Sequence, residues 1–314
     1  MWLLVGLMFA ILYGIIVALG SYAGVNDPYS YLIMAVVIVG LQYLLGPSLV
    51  GMMMRVRYVN EQEEPELHQM VAELADRAGI PKPRVGVSEV SIPNAFAFGR
   101  SRRDGRVCVT RGIQQLLNGD ELRAVLGHEM THLKNRDMIV ITFLSVIPLV
   151  CYWAAWNLMF RRSRRDENYS ALIGIGAFAM YFISNLLVLY GSRIREYYAD
   201  EGSVRLGNPP SELATALYKL VYGCARLKND PHAQYDLHRV QGVKAFFLND
   251  VTNAPREIDE LREIDRNYSG TISPDELLNL RSRPVRLSGA ERMMELFTTH
   301  PNMLKRIKRL STLS

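Results

Sequence analysis

Within Gly127-His128-Glu129-Met130-Thr131-His132, two histidines stand four residues apart with a glutamate beside the first. On a helix, positions i and i+4 lie one above the other, so both imidazoles project from one face. Such a pair can hold a divalent metal, and Zn²⁺ is the usual occupant of an H-E-x-x-H motif. A catalytic zinc site needs three protein ligands and one open position, so a third ligand must come from elsewhere in the chain. Glu196 is the best candidate, because Glu196-Tyr-Tyr-Ala-Asp200 puts two carboxylates on one helix face. Glu196 can then ligate while Asp200, one turn on, accepts the other ring N–H of a ligand histidine. Asp137 is a rival third ligand, close on the metal helix but off its histidine face. The competing reading makes Arg193, Arg195, Glu196 and Asp200 a solvated charge cluster. One zinc per subunit, held this way, would lower the pKa of a water toward about 7 and polarise a carbonyl. Glu129 is placed to take that water's proton and deliver it to a leaving amine. The chemistry expected is metal-assisted amide hydrolysis.

The elements around these residues can be read from periodicity. Leu122, Val125, Leu126 and Leu133 recur at helical spacing and predict a helix from about Asp120 to Asn135, with Asp120 as its N-cap. Glu61–Gly79 reads as an amphipathic helix with Leu67, Met70, Val71 and Leu74 inward. The period then changes to two, and 84–90, 95–98 and 106–110 read as short strands, the last two joined through Gly99–Gly105. Asn94, Ala95, Phe96 and Ala97 suit an exposed edge strand just before the metal helix. A substrate peptide could pair with that edge; the plainer alternative is an ordinary sheet strand. Pro209–Leu227 reads as a further helix.

Composition places this machinery beside a membrane. Hydrophobic residues make up 49% of the 314 and charged residues 21%, but they are sharply segregated. Residues 1–26 carry no charge, and Tyr31–Met54 holds a second apolar run, so Met1–Tyr22 and Tyr31–Met54 read as a transmembrane hairpin. A signal peptide would need a basic start, which is missing. Arg55 and Arg57 follow at once, which by the positive-inside rule puts the catalytic part in the cytoplasm. Met138–Phe160 and Ser170–Ser192 read as a second pair of spans. Their connecting loop carries four arginines against two acids, contrary to that rule, so the alternative is a pair that enters the bilayer without crossing. The net charge of +5 sits beside apolar runs and accompanies no nucleic-acid motif, so lipid rather than nucleic acid is the expected partner. Three scattered cysteines exclude a disulfide framework.

The two leading apolar segments, Pro93-Asn-Ala-Phe-Ala-Phe-Gly99, His128-Glu-Met-Thr-His132 and Arg195-Glu-Tyr-Tyr-Ala-Asp200 together resemble the HtpX heat-shock membrane zinc proteases, relatives of the CAAX prenyl endopeptidases. Thr299-His300-Pro301 also resembles that family's His-Pro element. The resemblance implies a cytoplasm-facing gluzincin-type site with His128, His132 and Glu196 as zinc ligands and Glu129 as base. It also implies stress-related quality-control cleavage of damaged or misassembled membrane proteins. His300 could hold substrate or the transition-state oxygen, or be a structural residue at a helix start. One stretch departs from the family's pattern: Asp265, Asn267, Ser269, Thr271, Ser273 and Glu276, with Gly270 at position six, fit a twelve-residue EF-hand loop for Ca²⁺. The alternative is a calcium-free helix–loop–helix brace.

The resulting expectation is a mainly α, multi-pass plasma-membrane protein carrying a cytoplasmic α+β gluzincin-like domain with a small sheet. Its parts would be a hairpin at 1–54, a catalytic subdomain at 55–137, a second membrane hairpin at 138–192 and a helical subdomain at 193–314. The expected function is zinc-dependent endoproteolysis of membrane polypeptides. The rivals are a non-proteolytic scaffold with a structural metal and a processing protease for lipidated termini.

Overall fold

The computed structural model describes residues 44–137, 167–226, 264–265, 267–282 and 295–313, with isolated positions between them. The chain divides into two compact units, Met1–Gly46 with Ile139–Gly191, and Pro47–Met138 with Ser192–Ser314. Most of the first predicted hairpin, all of the Arg161–Asp166 stretch and nearly all of 138–160 lie outside the described residues. Among the described residues no helix is long and apolar enough to cross a membrane.

In the second unit, four strands form one sheet in the order β1-β2-β4-β3. They are β1 (Val56–Tyr58), β2 (Arg84–Ser88), β3 (Ala95–Phe98) and β4 (Arg106–Thr110). β2 and β4 run parallel, with Val85 opposite Val107 and Val87 opposite Val109, while β1 and β3 add antiparallel on the two edges. Valine alternation fills this sheet, since β-branched side chains pack well on a pleated surface. The short β1 follows Arg55 and holds Arg57 at its centre, and three residues are too few for alternation to show in the sequence.

Helix α1 (Pro65–Ala78) turns Leu67, Val71, Leu74 and Ala75 inward and stops at Gly79 in a left-handed conformation. Short α2 (Arg111–Leu116) follows β4 directly, capped by the Thr110 side chain, and the metal-motif helix α3 (Gly119–Asn135) comes next. Its N-cap is Asn118, not Asp120: the Asn118 side chain accepts from the Glu121 backbone, and Glu121 reaches back to the Asn118 N–H. That reciprocal capping box satisfies two donors, which a lone Asp120 could not do. Leu122, Ala124, Val125, Leu126 and Met130 of α3 are buried; full burial of a leucine or methionine contributes about 1.5–3 kcal/mol.

The long helix α4 (Glu167–Arg205) and α5 (Pro210–Arg226) follow, with α6 (Pro274–Arg281) and α7 (Met303–Leu310) nearer the end. In the second unit, α5 packs on both α3 and α7. Two glycines set the approach of the final turns of α4 to α3. A Cβ on Gly127 would lie 2.3 Å from Asn208 Nδ2 and 2.7 Å from Ser203 Oγ; one on Gly202 would lie 2.3 Å from Thr131 Cγ2. Ser203 Oγ donates to the Ala124 carbonyl at 2.6 Å across the same contact.

The loop at 265–276 finds no support as a Ca²⁺ site, because its oxygens are taken by the protein's own donors. Buried Asp265 accepts from the Ser269 and Gly270 backbone N–H groups at 2.9 Å and from the Tyr218 hydroxyl at 3.0 Å. Glu276 accepts from Ser273 N and Oγ as a capping box for α6, and Ser269 pairs with Thr271. Asn267 accepts from Ser269 N. Thr215 exchanges hydrogen bonds with the Ile272 backbone. These contacts make the loop a brace docked on α5.

Candidate active site

The H-E-x-x-H motif lies in the second half of α3, and Glu196 reaches it from α4. His128 and His132 bring their Nε2 atoms to 3.0 Å of each other. Glu196 Oε2 lies 3.5 Å from His128 Nε2, and its Oε1 lies 3.5 Å from His132 Nε2. A tetrahedral ion with bonds of about 2.05 Å has ligand atoms about 3.3 Å apart, so this triangle matches one face of such a site. Two imidazole nitrogens and a carboxylate are also the donor set expected for zinc. Among the described residues, His128, His132 and Glu196 are the one cluster of histidine, cysteine or acidic groups that could hold a metal ion. The residues therefore fit the group.

Each histidine is held from behind. His128 Nδ1–H donates to Asp200 Oδ1 at 2.9 Å, and His132 Nδ1–H donates to Asp137 Oδ2 at 2.7 Å. A carboxylate can only accept, so in the neutral ring that a metal requires these bonds keep the proton on Nδ1 and the lone pair on Nε2, facing the cluster. Asp137, weighed as a third ligand, lies behind His132 instead. The cause is local: α3 ends at Asn135, and Arg136 takes a left-handed conformation (φ 59°) that turns the chain back toward His132. A helix continued through residue 137 would have pointed that carboxylate elsewhere.

Arg306 of α7, fully buried, grips Asp200 with Nε at 2.9 Å from Oδ2 and Nη2 at 2.7 Å from Oδ1, and its Nη1 lies 3.2 Å from Glu196 Oε2. Nothing in the sequence singles it out, since it stands among other basic residues in Lys305-Arg306-Ile307-Lys308-Arg309. Burial opposes charge on Asp200, but Arg306 and His128 outweigh it and lower the carboxyl's pKa. Glu196 likewise resists burial and is held well below the usual carboxylate range by His300, His128 and Arg306. Burial works against a charged His128, yet hydrogen bonds to Asp200 and Glu196 raise its pKa to about 9. Both acids are thus kept ionised.

Glu129 is 5% exposed, and burial raises its pKa against the pull of His128 and His132. The Ala97 backbone hydrogen-bonds to its carboxylate. β3 is at the sheet edge, as its pattern suggests, but it is not exposed: Asn94, Ala95, Phe96 and Ala97 are all buried. Thr110 N donates to Asn94 O, so in the antiparallel ladder 94, 96 and 98 bond to β4 while the backbone groups of Ala95 and Ala97 point away from it. His300 Nδ1 lies 3.4 Å from Glu196 Oε2, and among the described residues neither ring nitrogen meets a group in hydrogen-bond geometry. Arg193 positions that segment by donating to the carbonyls of Glu295 and Thr298 at 2.8 and 2.9 Å, and Thr298 Oγ1 donates to His300 O. The helix-start role falls to Asn302, whose side chain caps α7.

Two histidines and a glutamate converging from two helices, with a buried glutamate beside them, define a metallopeptidase. The chain belongs to peptidase family M48, whose model matches residues 61–314. It is 54% identical over 221 residues to a protein named "Protease HtpX homolog" from Methanothermobacter thermautotrophicus, covering 70% of this chain and 84% of the relative. A second protein of that name, from Moorella thermoacetica, is 31% identical over 300 residues, covering 93% and 85%. Among solved structures, S. mikatae Ste24p is similar in fold, with a TM-score of 0.50 at 17% identity; the match covers 96% of this chain and 61% of that one. The protein is therefore a metalloprotease related to those named HtpX.

Proposed function

We propose that this chain is a membrane-anchored zinc endopeptidase that cleaves damaged or misfolded membrane proteins on the cytoplasmic side. The observation that carries the zinc assignment is the triangle of His128, His132 and Glu196, with each histidine backed by a carboxylate. When bound, the metal would supply Lewis-acid polarisation of the scissile carbonyl and activation of a water. Glu129 takes the water's proton on its carboxylate and returns it to the leaving amine; burial raises its pKa in the direction that suits this exchange near neutral pH. The Ala97 backbone orients that carboxylate; the Ala95 backbone faces away from β4, and an extended substrate strand would pair with it only after the cover over β3 moves aside. His300, whose Nδ1 faces Glu196, donates through Nε2 to substrate or to the developing oxyanion.

The membrane assignment rests on the uncharged apolar runs of the sequence and on the arginines at 55 and 57. It is supported by the described part of α4, where Ile175, Met180, Ile183, Leu187 and Tyr190 are each at least half exposed. Large apolar side chains left outward along one helix suit lipid better than water. Membership of a peptidase family removes the scaffold reading, and no observation favours lipidated termini as substrate.

Glu129→Gln tests the mechanism in the purified full-length protein with zinc added. Cleavage of an unfolded membrane polypeptide should fall by about 10²–10⁴-fold while bound metal is unchanged. Normal turnover by this variant would remove Glu129 from the reaction.

A further inference from the structure

We propose that Asp137 and Arg195 form a positioning pair that orients His132 toward the metal and ties together the two chain ends that border the segment Ile139–Gly191. The inference rests on the reading of His128, His132 and Glu196 as metal ligands. Asp137 uses both carboxylate oxygens: Oδ2 accepts from His132 Nδ1 at 2.7 Å, and Oδ1 lies 3.1 Å from Arg195 Nε. The carboxylate is almost fully buried and the guanidinium largely so, which shields the pair from solvent and salt. His128 has a related arrangement with a firmer grip: its Nδ1 meets Asp200, which Arg306 holds by two hydrogen bonds, whereas Arg195 meets Asp137 through charge proximity alone. Both ligand histidines are thus backed by a carboxylate and then by an arginine.

The two arms differ in what they connect. Arg306 belongs to the last helix, whereas Asp137 and Arg195 flank the segment Ile139–Gly191 that belongs to the other unit. Asp137 stands just before that segment leaves the catalytic unit, and Arg195 stands just after it returns. Their ion pair joins the two ends within the catalytic unit, so holding His132 in register requires both ends to stay together. Loss of the pair frees the ring to rotate about its side-chain bonds and to exchange tautomers, and both weaken metal binding.

Metal affinity, measured by zinc titration against a chromophoric chelator on the full-length protein, is the readout. Asp137→Asn should weaken zinc by about 10- to 100-fold, the usual effect of removing a carboxylate behind a ligand histidine. Arg195→Gln should weaken it by a smaller factor and Arg195→Lys should restore most of that loss, which a role in folding alone would not require. In the Asp137→Asn background, Arg195→Gln should add less than about twofold, because residues in one network are not additive. Asp137→Asn within about twofold of the parent protein, or fully multiplicative effects of the two changes, would overturn the proposal. His132→Ala separates this from the underlying reading: undiminished zinc there means that the ligand assignment fails, whereas lost zinc with a silent Asp137→Asn means that only the pair fails. Size-exclusion profile and circular dichroism confirm that each variant is folded.

Discussion

Arg306 meets Asp200 through two parallel hydrogen bonds of 2.9 and 2.7 Å, in a place where neither side chain touches solvent. Asp200 in turn holds His128. The last helix of the chain therefore decides the orientation of a residue 178 positions earlier. Removing one member of a buried ion pair leaves the other charged and unpaired, which costs about 3–5 kcal/mol. Arg306→Met should lower the denaturation midpoint accordingly and loosen zinc. An unchanged midpoint would show that Asp200 needs no counter-charge.

Gly202 is a second point of vulnerability. A methyl group there would overlap Thr131 Cγ2 and Oγ1, on the helix turn that carries both histidines of the motif. Gly202→Ala should push α4 away from α3 and cut metal affinity and proteolysis together. A double change, Gly202→Ala with Thr131→Ser, should recover part of both by removing the methyl that clashes. Zinc titration and cleavage assays on the two variants check this.

Acid stability should depend on Asp104. A hydrogen bond from Arg100 lowers its pKa against the effect of burial, with Arg106 reinforcing the shift. It also pairs with Arg84 and Arg106 at 3.3 and 3.0 Å. A carboxyl whose folded pKa lies below its unfolded value of about 3.9 contributes stability above that pH and loses it as pH falls through the folded value. Asp104→Asn should therefore melt below the parent protein at pH 7, with the gap closing below about pH 4. A gap that keeps its full neutral-pH size down to about pH 3 would mean that the contribution is not ionic.

His300 can be separated from a packing role by kinetics. His300→Ala should lower kcat more than it raises KM if the ring donates to the developing oxyanion, by about 10²–10³-fold for one such donor. A raised KM with kcat unchanged would assign it to ground-state substrate binding instead. Equal metal content in both proteins is the control.

Removal of the metal gives the simplest check. A chelator should abolish cleavage, and added zinc should restore it. Melting should rise with free zinc, because a ligand that binds only the folded state at 100 times its Kd adds about 2.7 kcal/mol. A melting temperature indifferent to zinc would argue that the metal is not held by the folded site.

Much of this site is legible in the order of residues, because local geometry alone stacks His128 over His132 and Glu196 over Asp200. Strand limits at 95–98 and 106–110 follow from alternation, and α3 follows from its leucines and valines. Other features depended on contacts that sequence does not display. Asp137 moved behind His132 because one residue, Arg136, adopted a left-handed conformation. The edge strand is buried, not open, because α3 packs beside β3. The calcium pattern at 265–276 became a brace because Tyr218 and Thr215 of α5 occupy it.

By itself, then, the sequence determined which side chains could do chemistry and which apolar runs flank them, since both depend on residue type and short-range period. Only the tertiary structure decided what stands behind each histidine. Arg195 reaches the site through the close packing of α3 on α4, which Gly127 and Gly202 permit, and Arg306 reaches it from α7, packed on α5; no short-range pattern records either approach. Buried charges need partners regardless of their distance along the chain, and that requirement is satisfied in space.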